Sequence, residues 1–480
     1  MKSQPKIILL FALIFNLSAT AHVHVEDDIL DQINTLLEST NQDFLEESTV
    51  PIVKTKTPKL QKRKEWTLIL YISADNDLRN FAVRNIKQMA RIGSSKHINI
   101  VVHLDIKLSG NRKVTRRYYI EKNKILHVNA EDKESQRMDS GNPETLVSCC
   151  KWGITNFPAK HYGLILWDHG TGALDPRKGR VVKLTDLFTF NPEINKVELD
   201  RSIGFFDFIN AKQEETRGIC WDDTTGNYLT NHDLEYAFSK ICSTYLNNKK
   251  FDFIGFDACL MQMIEVANIA KKYADIMIGS QEVILGTGWN YIETLKPFLT
   301  ATMTAQEFAK HIVLTYQKTY SKITNDYTLS AIKLKSLAEI EANIDKVAKT
   351  LIYCLKNQRN RSVKKAIASS RNKLVCTHFD EPSFIDLHHF YKNLIACSKY
   401  IQLNNPQENQ KYKNLLINLL NKGCKTIENM MIENVAGKNL RKAKGLSIYF
   451  PTRRIYFSYR KLNFSLNHDW ILFLTQYLNL

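Results

Sequence analysis

The 480-residue sequence has little glycine and proline, with 18 and 11 residues, and it contains no internal repeat or low-complexity tract. Collagen-like chains and many disordered chains are rich in these residues, so the composition excludes both classes. After the N-terminus no stretch is long and apolar enough to span a bilayer, so the sequence predicts no membrane span. With 44% apolar and 24% charged residues, the chain has the composition of a globular protein of one or two domains.

The nine cysteines include no C-x-x-C pair, so a zinc site is not predicted. Because the number is odd, at least one thiol stays unpaired within the chain, and the pairing of the others is left open. The net charge of +17 raises the question of a nucleic-acid partner. Lys and Arg are nevertheless spread along the whole length, without a finger, zipper or RNA-binding signature, so no nucleic-acid role is predicted.

The N-terminal 21 residues have the three parts of a secretory signal peptide. A basic head, "MKSQPK", precedes the apolar stretch "IILLFALIFNL", and Ala19-Thr20-Ala21 supplies an A-x-A cleavage site. The apolar stretch is too short to remain as a membrane-spanning helix. Residues 1–21 therefore predict export to a secreted or periplasmic location.

Residues 22–64 form a second N-terminal segment with an unusual charge distribution. Its first half, up to Glu47, is acidic and weakly amphipathic, and the following "KTKTPKLQKRKE" is basic and contains proline. One interpretation is a prosegment with a built-in cleavage site. The other is an ordinary flexible leader.

Buried strands alternate with helices in the region 65–301. "WTLILYIS", "INIVVHLD", "YGLILWD", "FDFIGFD" and "IMIGSQE" are nearly continuous apolar runs, as expected for strands that are covered on both faces. The fold class is therefore α/β, with a mostly parallel central sheet flanked by helices. From about Thr302 the helical segments lengthen, so we expect residues 302–480 to be a mainly helical region that completes the fold.

Two of these strands end in residues that can do chemistry. His169 and Gly170 follow one strand, and Cys259 follows another, where we expect a helix to begin at once. Functional groups of an open α/β sheet gather beyond the carboxyl ends of its strands. A helix N-terminus and a nearby imidazole would both favour the thiolate, and the amides of Gly170 and Cys259 could face an oxyanion.

This pair predicts acyl transfer by a Cys–His dyad. The alternative is that His169 is a capping or solvent-facing residue and Cys259 a small buried apolar side chain. Spacing alone does not decide between the two interpretations.

Several motifs resemble the clostripain family of cysteine peptidases, and they follow the family order from Trp66 to the C-terminus. The family groups with caspases, gingipains and legumains, so the resemblance implies a caspase-like α/β sandwich that acts on protein or peptide substrates without a cofactor for the chemistry. It also implies that His169 is the base or the group that orients the reaction, and that Cys259 is the nucleophile. The motifs are "WTLILYISADNDL", "LILWDHGTG", "GICWDDTTGNYLT", "FDFIGFDACLMQMIEVA" and "GLSIYFP".

The resemblance further implies that Asp257 lines a pocket for a basic side chain, which a carboxylate selects by charge-assisted hydrogen bonds. From the residues alone, Asp257 could instead be a helix N-cap. The sequence departs from the family pattern Pro-Gly-Asp-Gly-Trp, because Leu285 replaces the proline and Thr287 the aspartate. Loss of that carboxylate should weaken discrimination for Arg or Lys by about 1–3 kcal/mol. Glu282 is the candidate substitute.

Family members are activated by self-cleavage at basic residues between the two dyad strands, and some depend on calcium. A processed chain would consist of two associated pieces of one monomer. Asp222 and Asp223 are the local calcium candidates, but they lack EF-hand spacing, and an ordinary Asp/Gly turn is the favoured interpretation. The candidate processing sites are Arg177, Lys178, Arg180 and Lys183.

The leading hypothesis is a secreted cysteine endopeptidase that cuts after Arg or Lys and activates itself. The alternative is a catalytically inactive peptidase-like module that binds at a cell surface. A nucleic-acid binder rests on net charge alone. The presence of both His169 and Cys259 favours the endopeptidase.

Overall fold

A computed structural model describes residues 50–55, 62–108, 112–174, 187–202, 204, 218–356 and 360–479. The predicted signal peptide and most of the predicted prosegment lie outside these ranges. The candidate processing sites also lie outside them: Arg177, Lys178, Arg180 and Lys183.

The strands and helices of these ranges are numbered in chain order. The strands are β1 Ile52–Lys54, β2 Lys64–Ala74, β3 Ile98–Lys107, β4 Lys113–Glu121, β5 Lys124–His127, β6 Ala159–Trp167, β7 Phe188–Asn191, β8 Lys196–Leu199, β9 Phe251–Asp257, β10 Ala274–Gly279, β11 Thr328–Lys333, β12 Phe384–Asp386, β13 Met431–Ala436 and β14 Ser447–Tyr449. The helices are α1 Arg79–Ile92, α2 Pro143–Asn156, α3 Asn231–Thr244, α4 Ile264–Ala270, α5 Tyr291–Leu295, α6 Ala305–Ile323, α7 Leu337–Leu355, α8 Asn360–Ser370, α9 Leu387–Cys397, α10 Pro406–Met430, α11 Asn463–Asn467 and α12 Trp470–Leu478.

A ten-stranded sheet in the order β1-β5-β4-β3-β2-β6-β9-β10-β11-β13 organises the described chain. Its five central strands, β3, β2, β6, β9 and β10, are parallel. The antiparallel strands β4 and β11 flank them. The predicted α/β class with a mostly parallel sheet is confirmed.

The central strands form where the sequence has its longest apolar runs. β2 is buried from Trp66 to its end, because neighbouring strands and helices cover both of its faces. α2 begins where the sequence predicts, since the Asn142 side chain accepts a hydrogen bond from the Glu144 amide at 2.9 Å and Pro143 occupies the first turn. Local signals and burial therefore agree in the core of the fold.

The region after Thr302 contributes strands as well as helices. β11 and β13 extend the central sheet beyond β10, and the long helices α7 and α10 pack against each other. β12 and β14 form a separate antiparallel pair. The two halves of the chain thus share one sheet.

A short piece of the predicted prosegment is also part of this sheet. β1 pairs in parallel with β5 at the sheet edge, where the Ile125 amide donates to the Pro51 carbonyl at 3.1 Å. The Thr55 amide donates to the His127 carbonyl at 3.0 Å. The predicted prosegment therefore contributes an edge strand.

Two further findings concern membrane-spanning helices and the cysteines. Within the residues that the structure describes, no helix has both the length and the apolar character needed to cross a bilayer. All nine cysteines fall inside the described ranges, and each carries a free thiol.

Candidate active site

The two chemistry-bearing strand ends lie side by side. β6 and β9 are parallel neighbours, with Leu166 opposite Phe256 and Trp167 opposite Asp257. His169 and Cys259 follow these strands and line the same narrow cavity, together with Asp257. His169 is 1% exposed and Cys259 4%. The topology thus brings together the two residues that the sequence predicts as a dyad.

Cys259 does not begin a helix, so that part of the expectation is wrong. The chain turns after Cys259, with Leu260 at a φ of 61°, and α4 starts only at Ile264. The polar partner of the thiol is instead the backbone of Ile284, whose amide donates to Cys259 Sγ at 3.2 Å. A backbone N–H directed at sulfur replaces the expected helix dipole.

The expected lowering of the thiol pKa is also wrong for this state of the site. Burial raises the pKa of Cys259 well above its ordinary value, although the Ile284 amide opposes the shift. The nearby carboxylates of Asp380, Glu282 and Asp257 raise it further. Cys259 is therefore a protonated thiol here, and a base must remove its proton before it can attack.

His169 is held by an acidic partner that the sequence analysis missed. Its Nε2 lies 2.9 Å from Asp77 Oδ1, and its ring packs 4.9 Å from the Trp221 ring. Burial lowers the pKa of His169, but the charge and hydrogen bond of Asp77 outweigh it, so the net pKa is raised. Because a carboxylate only accepts hydrogen bonds, Nε2 carries the proton, and the neutral ring has its lone pair on Nδ1.

Asp77 belongs to "SADNDL", directly after β2. β2 is the parallel neighbour of β6, so its carboxyl end lies at the same sheet edge as His169. The rule that placed His169 and Cys259 together could therefore have located Asp77 as well.

Asp168 shapes the turn that carries His169. Its carboxylate accepts a hydrogen bond from Asn76 Nδ2 at 2.8 Å and another from the Trp221 amide. Burial raises the pKa of Asp168 to about 7, although the charge of His169 and the hydrogen bonds to the carboxylate lower it. These contacts tie three loops together behind the imidazole.

Gly170 lies where the two strand ends approach most closely. A Cβ at this position would be 2.6 Å from the Cys259 carbonyl oxygen, so a side chain would push the two loops apart. The absence of a Cβ allows the close backbone approach. The oxyanion role of the Gly170 and Cys259 amides stays a prediction.

Asp257 has one satisfied carboxylate oxygen and one unsatisfied one. Oδ2 accepts from the Trp289 amide and from Tyr291 Oη, both at 2.9 Å. Within the described chain, buried Oδ1 has no hydrogen-bond partner. Burial raises the pKa of Asp257 to about 7, against these two donors. The helix-cap interpretation is wrong, because the N-cap of α4 is Met263.

Glu282 and Thr287, the other predicted specificity residues, do not line this cavity. Glu282 accepts a hydrogen bond from Arg201 Nη2 at 2.8 Å and one from the Asp380 amide at 2.9 Å. The Thr287 hydroxyl shares a 2.7 Å hydrogen bond with Tyr320 Oη. Both side chains therefore form hydrogen bonds within the protein, and the roles of Glu282 and Thr287 toward substrate stay predictions.

The calcium candidate Asp222 belongs to a buried cluster of three aspartates around one lysine. Lys113 Nζ lies 3.0 Å from Asp105 and 3.8 Å from Asp75, and it also contacts Asp222. The backbone of Asp223 donates to the Asp75 carbonyl at 2.9 Å. Lys113 supplies the positive charge beside Asp222 in this arrangement, and the calcium role of Asp222 and Asp223 stays a prediction. We call these residues the Lys113 cluster.

Comparisons with known proteins identify the family of this chain. The sequence profile of the clostripain family, Peptidase C11, matches residues 70–196 and 207–476. Clostripain from Hathewaya histolytica is 24% identical over 444 residues, which cover 81% of this chain and 75% of that protein.

Two solved structures share the fold. A secreted C11 cysteine protease from Bacteroides thetaiotaomicron, bound to an irreversible peptide inhibitor, has a TM-score of 0.51 and 18% identity over 85% of this chain and 99% of its own. An inactive zymogen C11 protease from Parabacteroides distasonis has a TM-score of 0.51 and 19% identity over 86% and 99%. With its caspase-like sheet and the family profile over most of its length, the chain belongs to the clostripain family and is a cysteine endopeptidase.

Proposed function

We propose that this peptidase cleaves bonds after Lys or Arg, with Cys259 as nucleophile and His169 as base. The observation that carries the specificity is Asp257 Oδ1, a buried carboxylate oxygen without a partner in the described chain, in the cavity that also contains Cys259. An unpaired buried carboxylate is costly, and a substrate ammonium or guanidinium would supply its missing partner.

The chemistry follows from the two protonation states. As Cys259 Sγ bonds to the scissile carbonyl carbon, the thiol proton passes to Nδ1 of His169, and the amides of Gly170 and Cys259 stabilise the oxyanion. When the C–N bond breaks, the imidazolium gives this proton to the leaving amine. Water then cleaves the thioester, with His169 as its base, and frees the thiol. Asp77 keeps the imidazole in the required tautomer and stabilises its charged form.

The pocket offers one carboxylate to the substrate. Thr287 has no carboxyl group and bonds to Tyr320, and the Glu282 carboxylate is paired with Arg201. A single carboxylate attracts Lys and Arg alike, whereas a second would favour the forked guanidinium. We therefore expect cleavage after both residues, without strict arginine specificity.

Activation by cleavage is part of the proposal. The cavity at Cys259 has a volume of about 20 Å³, which suits one water molecule but not a Lys or Arg side chain. The site must therefore open before a substrate binds. Self-cleavage at Arg177, Lys178, Arg180 or Lys183 would be the trigger, and the result would be two associated chains. The predicted signal peptide and the secreted relative from Bacteroides support export before activation.

The test uses fluorogenic peptides that end in Arg, Lys, Leu or Asp, with and without a thiol alkylator. We expect alkylation-sensitive turnover of the Arg and Lys peptides only. Cys259→Ala should abolish turnover and leave the purified chain full length. Cys397→Ala is the matched control, because it removes a more exposed thiol and should process and turn over normally.

Two results would contradict the proposal. Absence of alkylation-sensitive turnover on any peptide, after processing is confirmed by mass spectrometry, would rule out the basic-residue endopeptidase. Processing of Cys259→Ala in isolation would rule out self-cleavage.

A further inference from the structure

A second cavity, of about 620 Å³, lies between the end of α8 and the loops that flank β12 and β14. Its size is that of a ligand site and far exceeds that of a single ion. Four of its lining residues are cationic, and we call it the basic cavity. The charged residues that line it are Arg371, Lys373, Arg453, Arg454 and Glu381.

Arg371 gives this cavity a built polar wall. The side chain is only 6% exposed, and its guanidinium carbon lies 5.0 Å from the centre of the Phe450 ring. One Nη donates to the Phe450 carbonyl at 2.8 Å, while the buried Nε has no hydrogen-bond partner in the described chain. Burial lowers the pKa of Arg371, but a guanidinium stays charged at neutral pH. An anionic acceptor in the cavity would satisfy this buried donor.

The other charges leave the cavity basic. Arg453, Arg454 and Lys373 are exposed at its opening. Glu381 accepts hydrogen bonds from the amide and hydroxyl of Ser383, so its carboxylate is used within its own loop. The resulting field attracts carboxylates from solution.

The basic cavity is connected to the nucleophile through one loop. His378 and residues 381–383 form part of its wall, and the Asp380 amide of the same loop donates to Glu282 at 2.9 Å. Glu282 lies two residues before Ile284, whose amide donates to Cys259 Sγ. The loop that carries part of the basic cavity is thus linked through Glu282 to the segment that contacts Cys259.

Large apolar side chains at the opening favour a peptide over a small anion. Leu374 is 93% exposed next to Lys373, and Phe457 is 72% exposed next to Tyr456, another residue of the cavity wall. A bound peptide would find apolar contacts at these two side chains beside the cavity. A peptide with both apolar and acidic residues would contact these apolar side chains and the cations of the cavity at the same time.

We propose that the basic cavity binds acidic side chains of protein substrates at positions away from the cleaved bond. This inference rests on the proposed peptidase function and deepens it, because it names a second element of substrate choice. The substrates would combine one Lys or Arg at the cleavage point with Asp or Glu several residues away.

The experiment compares quenched peptides that contain one Lys and carry three Glu or three Gln residues on either side of it. We expect one Glu placement to raise kcat/KM about fivefold to tenfold over its Gln counterpart, chiefly through KM, and added salt to reduce this preference. In Arg453→Gln/Arg454→Gln the Glu-to-Gln ratio should fall to near one. Lys411→Gln/Lys422→Gln removes the same charge at exposed positions that do not line the cavity, and its ratio should match the parent.

Charge reversal separates recognition from misfolding. Arg453→Glu/Arg454→Glu should turn the Glu-to-Gln ratio of kcat/KM to below one, a reversal that a damaged fold cannot produce. Binding of a fluorescent Glu peptide to Cys259→Ala, measured by anisotropy, tests the cavity without catalysis. Equal binding by Cys259→Ala with and without the Arg453→Gln/Arg454→Gln change would overturn the inference. Absence of turnover together with intact binding would instead refute only the peptidase specificity.

Discussion

Two groups of buried carboxylates lie at the carboxyl edge of the sheet, and they differ in how their charge is balanced. In the Lys113 cluster an internal ammonium contacts Asp75, Asp105 and Asp222. Asp257 has only two neutral donors, and one of its oxygens has no partner in the described chain. A buried carboxylate that pairs with an internal cation stabilises the fold. A buried carboxylate without such a partner is suited to bind a positively charged side chain of a substrate.

The Lys113 cluster and Asp257 also contact different parts of the active site. Asp222 follows Trp221, whose ring packs against His169. The Lys113 cluster therefore fixes the loop behind the imidazole, while Asp257 lies beside the thiol in the cavity. On the proposed function, the Lys113 cluster maintains the shape of the site and Asp257 selects the substrate side chain.

Removal of the internal cation should have the largest effect. Lys113→Met leaves the three buried carboxylates without a positive partner, and we expect a loss of about 3–5 kcal/mol in the free energy of unfolding at pH 8. Burial already raises the pKa of Asp105 to about 6, so the loss should shrink as the pH falls to 5 and Asp105 takes up a proton. Denaturant titrations at both pH values measure this. Lys124→Met, which removes an exposed lysine from the same sheet, should cost almost nothing, and an equal loss in both variants would contradict the comparison.

The second prediction concerns the carboxylate without a cation. Asp257→Asn should lower kcat/KM for Lys and Arg peptides about 100-fold, because a charge-assisted contact is lost. It should not lower stability. The folded pKa of Asp257, about 7, lies above its ordinary value, so the folded protein binds more protons than the unfolded chain between these values, and stability falls as pH rises through that window.

Asparagine removes this ionisation, so Asp257→Asn should be at least as stable as the parent at pH 8. Steady-state kinetics and denaturant titrations on the same preparation check both expectations. A variant that loses stability but keeps its preference for basic peptides would reverse the roles that we assign to the two groups.

The smallest of the three effects concerns Asp77. Asp77→Asn should lower kcat about tenfold, because His169 loses the partner that orients it and stabilises its cation. With that carboxylate gone, the pKa of His169 should fall. Because His169 must be neutral to accept the thiol proton, the acidic limb of the kcat/KM profile should move to lower pH. An unchanged pH profile would show that Asp77 does not act on the imidazole.

The sequence predicted the elements whose signals are local. Buried strands appear as apolar runs, and the strands that end before His169 and Cys259 are neighbours, as expected for the carboxyl edge of a parallel sheet. The start of the helix after Cys259 was misplaced, because the apolar run after the cysteine contains a turn at Leu260 before α4 begins.

The Lys113 cluster could not be predicted in the same way. Its members come from the ends of β2 and β3, the start of β4 and a distant turn, and only the folded sheet brings them together. The spacing of residues along the sequence does not predict which buried carboxylate pairs with an internal cation. This information decides between a structural and a substrate-binding role, so the sequence left the two roles of Asp222 and Asp257 open.

The edge strand β1 gives maturation a consequence beyond the shortening of the chain. β1 covers the outer edge of β5, and it precedes the basic linker, where removal of a prosegment would cut the chain. Once the linker is severed, only pairing between short segments retains β1. Its departure would uncover the backbone donors and acceptors of β5, and an open sheet edge invites another strand to add to it. Activation would then also change how the enzyme self-associates and how long it remains in solution.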